Sequence, residues 1–578
     1  MRRTLLAVVT AVIAVLILAA PAGAHAVLLQ TSPAAGQTYP SGPKVVTLLF
    51  DENVQVGLGG IRLLDSKGNR IDTAKPSQSN GGKEVSVGVP GLKDGTYVVT
   101  WRVISADGHP VQNAFTFSVG RATAVGQTAT QLANSLLAKQ AGSKPVGITY
   151  GVLRFVEFVS VAIMLGGFAF LVLCWPNGRR SRTTLRLIRG SWVVAFVGSI
   201  ATVLIASSYT AALKFADSFK WSVVHDYVDT HVGRMLALRV VVLIVVALVG
   251  WPFLKRAKND ALQLAVGGVA GLALIATFTL AGHARSGFQI PLAIVTDLAH
   301  VTAFTLWFGG LIVMMVAVLR PDDPSELEPA VSRFSALALG AVVVLTGTGV
   351  YQGWRQVGSF GALKSTTYGR LLLVKIALVA VVVIVAATSR DTVRNRLGGD
   401  DDDDDDDTPD AEVRAPLPVG PGAALAVDDD RAGVARRLRI SVAIEVVFLV
   451  AVLATTALLV DAAPARTAIN APFSQTIEAQ GINFEVLLVP ARSGPNDLHV
   501  TATKESGLLD NVLQLNLTLS NPEKNVAPIA VKLIKLGPGH YTSNALTIPF
   551  SGTWQLQIKA LVTQIDEVDA SATIHVRS

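Results

Sequence analysis

Eight long apolar stretches constrain this chain more than any other feature of its sequence. Each is long enough to cross the roughly 30 Å hydrocarbon core of a bilayer as a helix. Because 51% of the 578 residues are hydrophobic, a single water-soluble domain is excluded. The sequence therefore predicts a multidomain protein with an eight-helix transmembrane bundle over residues 148–461. The predicted spans are residues 150–175, 190–211, 235–254, 261–281, 291–319, 333–354, 369–388 and 439–461.

The loops between these spans carry unequal basic charge, which predicts the orientation of the bundle. Loops on one side contain 18 Lys and Arg residues, whereas loops on the other side contain 7. Since cytoplasmic loops carry the excess of Lys and Arg, both ends of the chain are predicted to lie outside the plasma or inner membrane. The same rule accounts for the net charge of +7, so membrane lipid is the expected contact and nucleic acid is not.

The first residues have the features of an export signal. Arg2 and Arg3 precede an apolar run over residues 5–20, and small residues follow at positions 22–24. This pattern predicts a signal peptide over residues 1–24, with an uncleaved anchor helix as the alternative. Cleavage after Ala24 would make His25 the first residue of the mature protein.

Two regions outside the bundle alternate in polarity as strands do. Residues 25–120 contain segments such as 45–50 and 95–103, separated by glycine-containing turns, and predict an external β-sandwich. Residues 470–578 predict a second external β-sandwich. Its predicted strands cover residues 482–489, 498–502, 512–519, 530–536 and 553–561.

Two further segments are predicted to be linkers. Residues 121–147 are small and polar, and are interpreted as the connection between the first sandwich and the bundle. Residues 397–432 belong to the longest cytoplasmic loop and include eight consecutive aspartates, at 400–407. Because such a run repels itself and stays solvated, this loop is predicted to be disordered, with weak cation binding as the alternative.

The mature N-terminus and one turn of the first sandwich together predict a metal site. The single cysteine, Cys174, excludes thiolate clusters, so a metal needs other ligands. His25 offers an α-amine and a ring nitrogen, and the sequence SADGHP at residues 105–110 adds the Asp107 carboxylate and the His109 imidazole. Nitrogen ligands with one oxygen suit tetragonal Cu(II). Taken alone, residues 105–110 are also compatible with an ordinary turn.

Ionisable and sulfur-containing side chains inside the spans are candidates for a transport path, because such groups are costly in lipid. Asp297 and His300 share one helical face, which suits either a metal path or a structural hydrogen bond. Met314 and Met315 follow on the same helix and are either soft ligands for Cu(I) or core residues. Glu157 and Lys375 are further ionisable residues within spans.

Several histidines lie in the predicted external regions. The external loops contain a group that suits either a metal-receiving site or ordinary solvated polarity. His499 and His540 of the second sandwich are isolated from each other in sequence. The residues of the loop group are His225, Asp226, Asp229, His231 and His283.

Residues 25–120 resemble the CopC copper-resistance family. The resemblance lies in HA at 25–26, SPAAG at 32–36, FDENV at 50–54 and DGHP at 107–110. It implies that His25, Asp107 and His109 are Cu(II) ligands. The methionine-rich segment that gives some CopC proteins a Cu(I) site is missing from this chain.

The bundle and the last domain also resemble known families. Residues 148–461 are similar to CopD proteins, and residues 470–578 are similar to YtkA-like β-sandwiches. The whole chain thus resembles a CopC–CopD fusion with a YtkA-like domain at its C-terminus. The matching stretches are GHA at 282–284, DLAH at 297–300, LWFGGL at 306–311, RFS at 333–335, GVY at 349–351, GR at 369–370, GPNDL at 494–498 and GTW at 552–554.

These resemblances imply a copper-homeostasis membrane protein that binds Cu(II) outside and transports copper inward. Its expected partners are copper ions, and copper chaperones or other copper-handling proteins. No P-loop sequence is present, so we expect a transporter that is not ATP-driven. We also expect a transport protein and not an enzyme. The alternatives are a haem-bearing electron-transfer protein that reduces Cu(II), and a membrane-anchored copper-binding protein without transport.

Overall fold

The chain forms two β-sandwiches and a helical bundle between them. The predicted signal peptide and the aspartate run lie outside the described residues. The computed structural model describes residues 26, 28–33, 38–50, 52–65, 68–72, 75–106, 108, 110–120, 143–255, 261–286, 288–318, 327–397, 421–462, 464–466, 473–504, 512–537 and 539–577.

The N-terminal sandwich consists of two four-stranded sheets with the orders β1-β3-β6-β5 and β2-β8-β7-β4. In β3, alternate residues are buried because successive side chains point to opposite faces of a sheet. Phe50 thereby meets Trp101 in the core, with their ring centroids 5.3 Å apart. The strands are β1 Leu28–Ser32, β2 Thr38–Tyr39, β3 Val45–Phe50, β4 Gln55–Leu64, β5 Ser77–Ser79, β6 Glu84–Gly88, β7 Gly95–Ile104 and β8 Pro110–Val119.

The bundle contains eight helices in the described residues that are long and apolar enough to cross a membrane, which confirms the predicted spans. Two short helices, α3 and α8, lie between them. The helix α6 continues as one π-helical segment, Met314–Val318. The helices are α1 Lys144–Leu173, α2 Arg182–Ala211, α3 Trp221–Val228, α4 His231–Lys255, α5 Ala261–Thr279, α6 Ile290–Val313, α7 Leu327–Val357, α8 Phe360–Ser365, α9 Thr367–Leu397 and α10 Pro421–Asp461.

Helix α6 lies at the centre of the bundle and crosses α1 at two glycines. A Cβ atom added at Gly166 would collide with the Thr305 carbonyl, and one added at Gly309 would collide with the Ala162 carbonyl. Small residues of this kind let two membrane helices approach backbone to backbone. The crossing fixes α6, and therefore fixes the position of the polar side chains it carries.

Two predicted linker boundaries are wrong. Helix α1 begins at Lys144, inside the predicted linker 121–147, because Pro145 occupies its first turn, where proline is well tolerated. Helix α10 begins at Pro421, so the predicted disordered segment 397–432 is helical from that residue onward. The segment after Pro421 is rich in alanine, the residue with the highest helix propensity.

The C-terminal sandwich joins a five-stranded sheet, β14-β15-β11-β10-β9, to a four-stranded sheet, β13-β12-β16-β17. Trp554 and Phe484 fill the core between them. The predicted strand 530–536 is divided into β13 and β14, because the chain passes there from one sheet to the other. The strands are β9 Phe473–Ala479, β10 Ile482–Val489, β11 Gly494–Lys504, β12 Gln514–Asn521, β13 Val526–Val531, β14 Ile534–Gly537, β15 His540–Ile548, β16 Gly552–Leu561 and β17 Glu567–Val576.

Candidate functional site

The three predicted Cu(II) ligands, His25, Asp107 and His109, lie outside the described residues. Their assignment stays a prediction, but the backbone around two of them is described. The described residues 105, 106 and 108 lie between β7 and β8, and Ile104 of β7 pairs with Pro110 of β8. Gly108 has a positive φ of 90°, a conformation that favours glycine. These three described residues, 105, 106 and 108, are called the β7–β8 turn below.

The β7–β8 turn lies against the helical bundle. A Cβ atom added at Gly108 would be 2.9 Å from a methyl carbon of Val232, in the first turn of α4. Beside it, the Gln55 side-chain oxygen accepts a hydrogen bond of 2.9 Å from the His231 backbone N–H. The first N–H groups of a helix have no hydrogen-bond acceptor within the helix. Gln55 of the sandwich supplies an acceptor for one of them. Gly108, which lies between two of the predicted ligands in the sequence, therefore faces the start of α4.

A second contact between sandwich and bundle is made by Arg102 of β7. Its Nε donates to the Thr210 carbonyl at 2.8 Å, and a terminal nitrogen donates to the Tyr209 carbonyl at 3.2 Å. Both carbonyls belong to the last turn of α2, where helix carbonyls lack partners and carry partial negative charge. Burial lowers the pKa of Arg102 to about 10, so the guanidinium is still charged at neutral pH.

His231 and His283 lie at the same end of the bundle. The Nε2 atom of His231 is 3.2 Å from the Leu280 carbonyl, and the same nitrogen contacts the Arg285 guanidinium. The Nε2 atom of His283 is 2.9 Å from the Val460 carbonyl, near the end of α10. The segment between α5 and α6 therefore joins α4 to α10 through two imidazoles.

The remaining external candidates are separate from this segment. His225 Nδ1 lies 3.6 Å from an Asp229 oxygen and 3.9 Å from an Asp226 oxygen, and all three side chains are exposed on or beside α3. Among the described residues, no group of three or more His, Cys, Asp or Glu side chains has an arrangement that could hold a metal. The predicted loop group is thus not assembled into one site within the described part of the chain.

Asp297 and His300 both contact α7. The Gln352 amide donates to Asp297 Oδ1 at 3.3 Å, and His300 Nδ1 lies 2.8 Å from the Thr348 hydroxyl. That hydroxyl donates its own proton to the Val344 carbonyl at 2.6 Å. It must therefore accept from His300 Nδ1–H, which leaves the lone pair of His300 on Nε2. A hydrogen bond that fixes the tautomer in this way is typical of metal-binding histidines.

Arg355 connects Asp297 and His300 to the segment between α5 and α6. Its guanidinium donates to the Phe288 carbonyl at 2.8 Å and to the His283 carbonyl at 3.3 Å. Arg355 also lies within electrostatic range of Asp297, as does Lys375 of α9. A line of polar side chains therefore runs from the end of the bundle into its interior. We call it the polar string, and its members are His283, Arg355, Gln352, Asp297, His300 and Thr348.

Thr348, Gln352 and Arg355 were not among the predicted site residues. They occur at i, i+4 and i+7 on α7, so they lie on one helical face. Polar residues at this spacing within an apolar span are a signal that could have revealed the string. All three residue types are common in loops, so the composition of α7 does not reveal the string. Only their helical spacing does.

Glu157 lies in a different part of the bundle from the polar string. It is buried, and it forms an ion pair of 3.0 Å with the equally buried Arg239. The Thr202 hydroxyl donates to it at 3.3 Å, and the Ser199 hydroxyl donates to its other oxygen. Arg239 in turn donates to the Thr277 hydroxyl at 3.0 Å. These bonds connect four helices, which is the arrangement of a structural ion pair.

Met314 and Met315 also lie apart from the polar string. Met314 is buried in the apolar core with Phe170 and Phe334, and Met315 packs at the edge of the same cluster. Both residues belong to the π-helical segment that ends α6. Both residues pack in or beside the described core, and their place in a transport path stays a prediction.

The class of the protein follows from its two sandwiches, its eight-helix bundle and the family models that match them. The CopC domain family matches residues 28–120. The copper resistance protein D-like N-terminal domain matches residues 145–290, and the copper resistance protein D family matches residues 328–459. The chain belongs to the copper-resistance proteins that join a CopC domain to a CopD membrane domain.

Among individual proteins, the chain is 24% identical over 569 residues to the copper transport protein CutJ of Bacillus subtilis, which covers 95% of both chains. It is 34% identical over 122 residues to copper resistance protein C of Xanthomonas campestris pv. juglandis, covering 20% of this chain and 94% of that protein. The crystal structure of CopC from Methylosinus trichosporium OB3b shows 36% identity over 17% of this chain and 95% of that chain, with a TM-score of 0.16. The YtkA-like resemblance of the last sandwich stays a prediction.

Proposed function

We propose that this protein binds Cu(II) outside the cell membrane through His25, Asp107 and His109, and transports copper inward through its helical bundle. The observation that carries the proposal is the contact between the β7–β8 turn and Val232 at the start of α4. A domain that only stored copper would have no need to hold its ligand turn against the membrane helices. Contact between the β7–β8 turn and α4 would let the copper ion pass to the bundle without diffusing away.

The direction and the sidedness belong to this proposal. Both sandwiches join the same end of the bundle, because Arg102 contacts the end of α2 and Val460 precedes the last sandwich. The loops at the opposite end carry the excess of Lys and Arg, which supports a cytoplasmic position for that end. The relative CutJ is named a copper transport protein, which supports transport as the activity.

The polar string supplies the proposed route for the ion. Asp297 offers a carboxylate, and His300 offers its Nε2 lone pair, which are ligands suited to copper. Lys375 lies within electrostatic range of both side chains. Its charge keeps the site from holding a cation too tightly, which a transport site requires. In this proposal the protein binds and moves copper ions and catalyses no reaction.

Copper flux into proteoliposomes tests the route. We expect His300→Ala and Asp297→Asn to slow copper entry at least tenfold, with unchanged yield and monodispersity in detergent. His225→Ala is the matched control, because His225 is exposed and lies off the polar string. Flux in the two string variants equal to that of the control would refute the route.

A membrane-anchored copper-binding protein is the second candidate. It is favoured by the hydrogen bonds that already engage both Asp297 and His300, since such bonds also stabilise a static bundle. The same vesicles distinguish the two functions: wild-type protein that binds copper but admits none beyond the rate of empty vesicles supports binding alone. A Soret band in the purified protein would instead support the haem-bearing alternative.

A further inference from the structure

We propose that the C-terminal sandwich carries a second copper-binding site, formed by His499 of β11 and His540 of β15. The sequence separates these residues, but the fold stacks their imidazole rings with centroids 5.7 Å apart and an interplanar angle of 21°. No member of this pair belongs to the CopC domain, to the polar string or to the external loop segment.

Strand pairing places the two rings together. His499 is opposite Thr542, and His540 is opposite Thr501, so the histidines are diagonal neighbours on one face of the sheet. Diagonal neighbours are about 7 to 8 Å apart at the backbone, within reach of ring side chains. The Thr542 hydroxyl also donates to the Leu498 carbonyl at 3.1 Å, which adds a cross-strand bond beside the pair.

The turn before β11 fixes the position of His499. Asn496 is buried, and its amide donates to the Arg492 carbonyl at 2.7 Å and to the Gly494 carbonyl at 2.8 Å. The strand register then shifts at Asp497, which is the position of a β-bulge. Bulges turn a side chain toward a new direction and often lie next to functional sites. The rigid turn and the bulge therefore present His499 from a fixed backbone.

The two imidazoles are accessible and suited to binding a metal. Leu498 and Val500 point into the core, while His499 and His540 are half-buried on the outer face of the sheet. A neutral imidazole has one nitrogen lone pair, so the pair offers two nitrogen donors on one face of the sheet. Metal–nitrogen bonds of about 2.0 Å require ligating nitrogens no more than about 4 Å apart, which side-chain rotation of a stacked pair can reach.

Imidazole nitrogens bind copper and other late first-row metals. The choice of copper as the metal rests on the proposed function. The presence of a two-histidine site rests only on the stacking of the two imidazole rings. Asp497, two residues before His499, is an exposed residue of the same strand. A site with two firm ligands binds more weakly than the predicted N-terminal site and exchanges its metal more readily.

The site lies on the sandwich that follows α10, and α10 ends beside His283 at the start of the polar string. Copper held by His499 and His540 would therefore be on a domain connected to the same end of the bundle as the N-terminal sandwich. We assign to this site the role of a second, exchangeable external ligand pair.

Copper titration of the purified full-length protein tests the site. The background variant His25→Ala/His109→Ala/His300→Ala removes the predicted N-terminal imidazoles and the imidazole of the polar string, and we expect it still to bind one copper ion. In this background, His499→Ala and His540→Ala are each expected to raise the dissociation constant at least tenfold. The matched control is His575→Ala, an exposed histidine on the other sheet of the same sandwich. Equal copper affinity in all three variants would overturn the proposal.

Two further measurements separate loss of the site from loss of the fold and from failure of transport. Nitrogen hyperfine structure in the copper EPR spectrum should report two imidazoles in the background variant, and a spectrum without imidazole nitrogen would count against the site. Copper should raise the melting temperature of the background variant and of His575→Ala, but not that of an equally folded His499→Gln. If the wild-type protein shows no copper flux while the background variant still binds copper, this site is supported and the proposed transport is refuted, whereas binding of Zn²⁺ alone would overturn the assignment to copper.

Discussion

Replacing Arg102 by alanine should release the N-terminal sandwich from the bundle. Arg102 donates two hydrogen bonds to carbonyls in the last turn of α2. Hydrogen bonds to charged groups contribute roughly 1.5 to 3 kcal/mol each, and a cation at a helix C-terminus adds about 0.3 to 1 kcal/mol. The desolvation that lowers the pKa of Arg102 to about 10 offsets part of this gain. We therefore expect a net loss of about 2 kcal/mol, or roughly 30-fold in the docking equilibrium.

Hydrogen exchange of the full-length protein measures this loss. Amides in the first turn of α4 and the last turn of α2 should exchange roughly 30-fold faster in Arg102→Ala, because exchange follows the opening equilibrium. Arg102→Lys should fall between, since lysine keeps the charge but not the paired donors. Arg62→Ala is the control, because Arg62 is exposed on the neighbouring strand β4. Exchange in Arg102→Ala that matches both wild type and this control would refute the docking argument.

Three further changes test the bundle. Arg239→Ala should cost about 3 to 5 kcal/mol of stability, because it leaves Glu157 buried without its partner. Replacing both residues with apolar ones should cost less. Thermal unfolding in detergent compares the two variants, and an equal loss of stability would contradict the ion-pair argument. Gly309→Ala should lower the melting temperature, because the added methyl meets the backbone of α1 with a cost of about 1 to 3 kcal/mol. Thr348→Val removes the acceptor that fixes the His300 tautomer and should slow copper flux several-fold, whereas Thr346→Val, whose hydroxyl bonds only within its own helix in the described contacts, should not.

Hydropathy and alternation predicted most of the fold because both report burial directly. The eight spans and the strand 482–489 follow from patterns that repeat within one element. The ends of the helices were harder to predict. A helix ends where local residues terminate it, and an apolar pattern does not show those residues. Helix α10 extends back to Pro421, since an alanine-rich segment continues the helix beyond its membrane span.

The candidate sites were predictable only where their residues are near in sequence. Asp297 and His300 are three residues apart, so their common face follows from helix geometry. His499 and His540 meet only through the register of β11 with β15, which no local pattern determines. Arg102 occupies a strand position that a sequence analysis would assign to solvent, because the α2 carbonyls that receive it lie elsewhere in the chain.

The contacts at the end of the bundle where α10 finishes link the last sandwich to the polar string. His283 is bound by its ring to the Val460 carbonyl on α10 and by its own carbonyl to Arg355 on α7. Arg355 is less than one helical turn from Gln352, which bonds Asp297. A displacement of the end of α10 can therefore follow one of two paths. It either deforms the segment that contains His283, or it moves Arg355 and Gln352 and thereby Asp297. Because Arg355 is buried and bonded to several carbonyls of that segment, the segment resists deformation, and the second path is the less costly one.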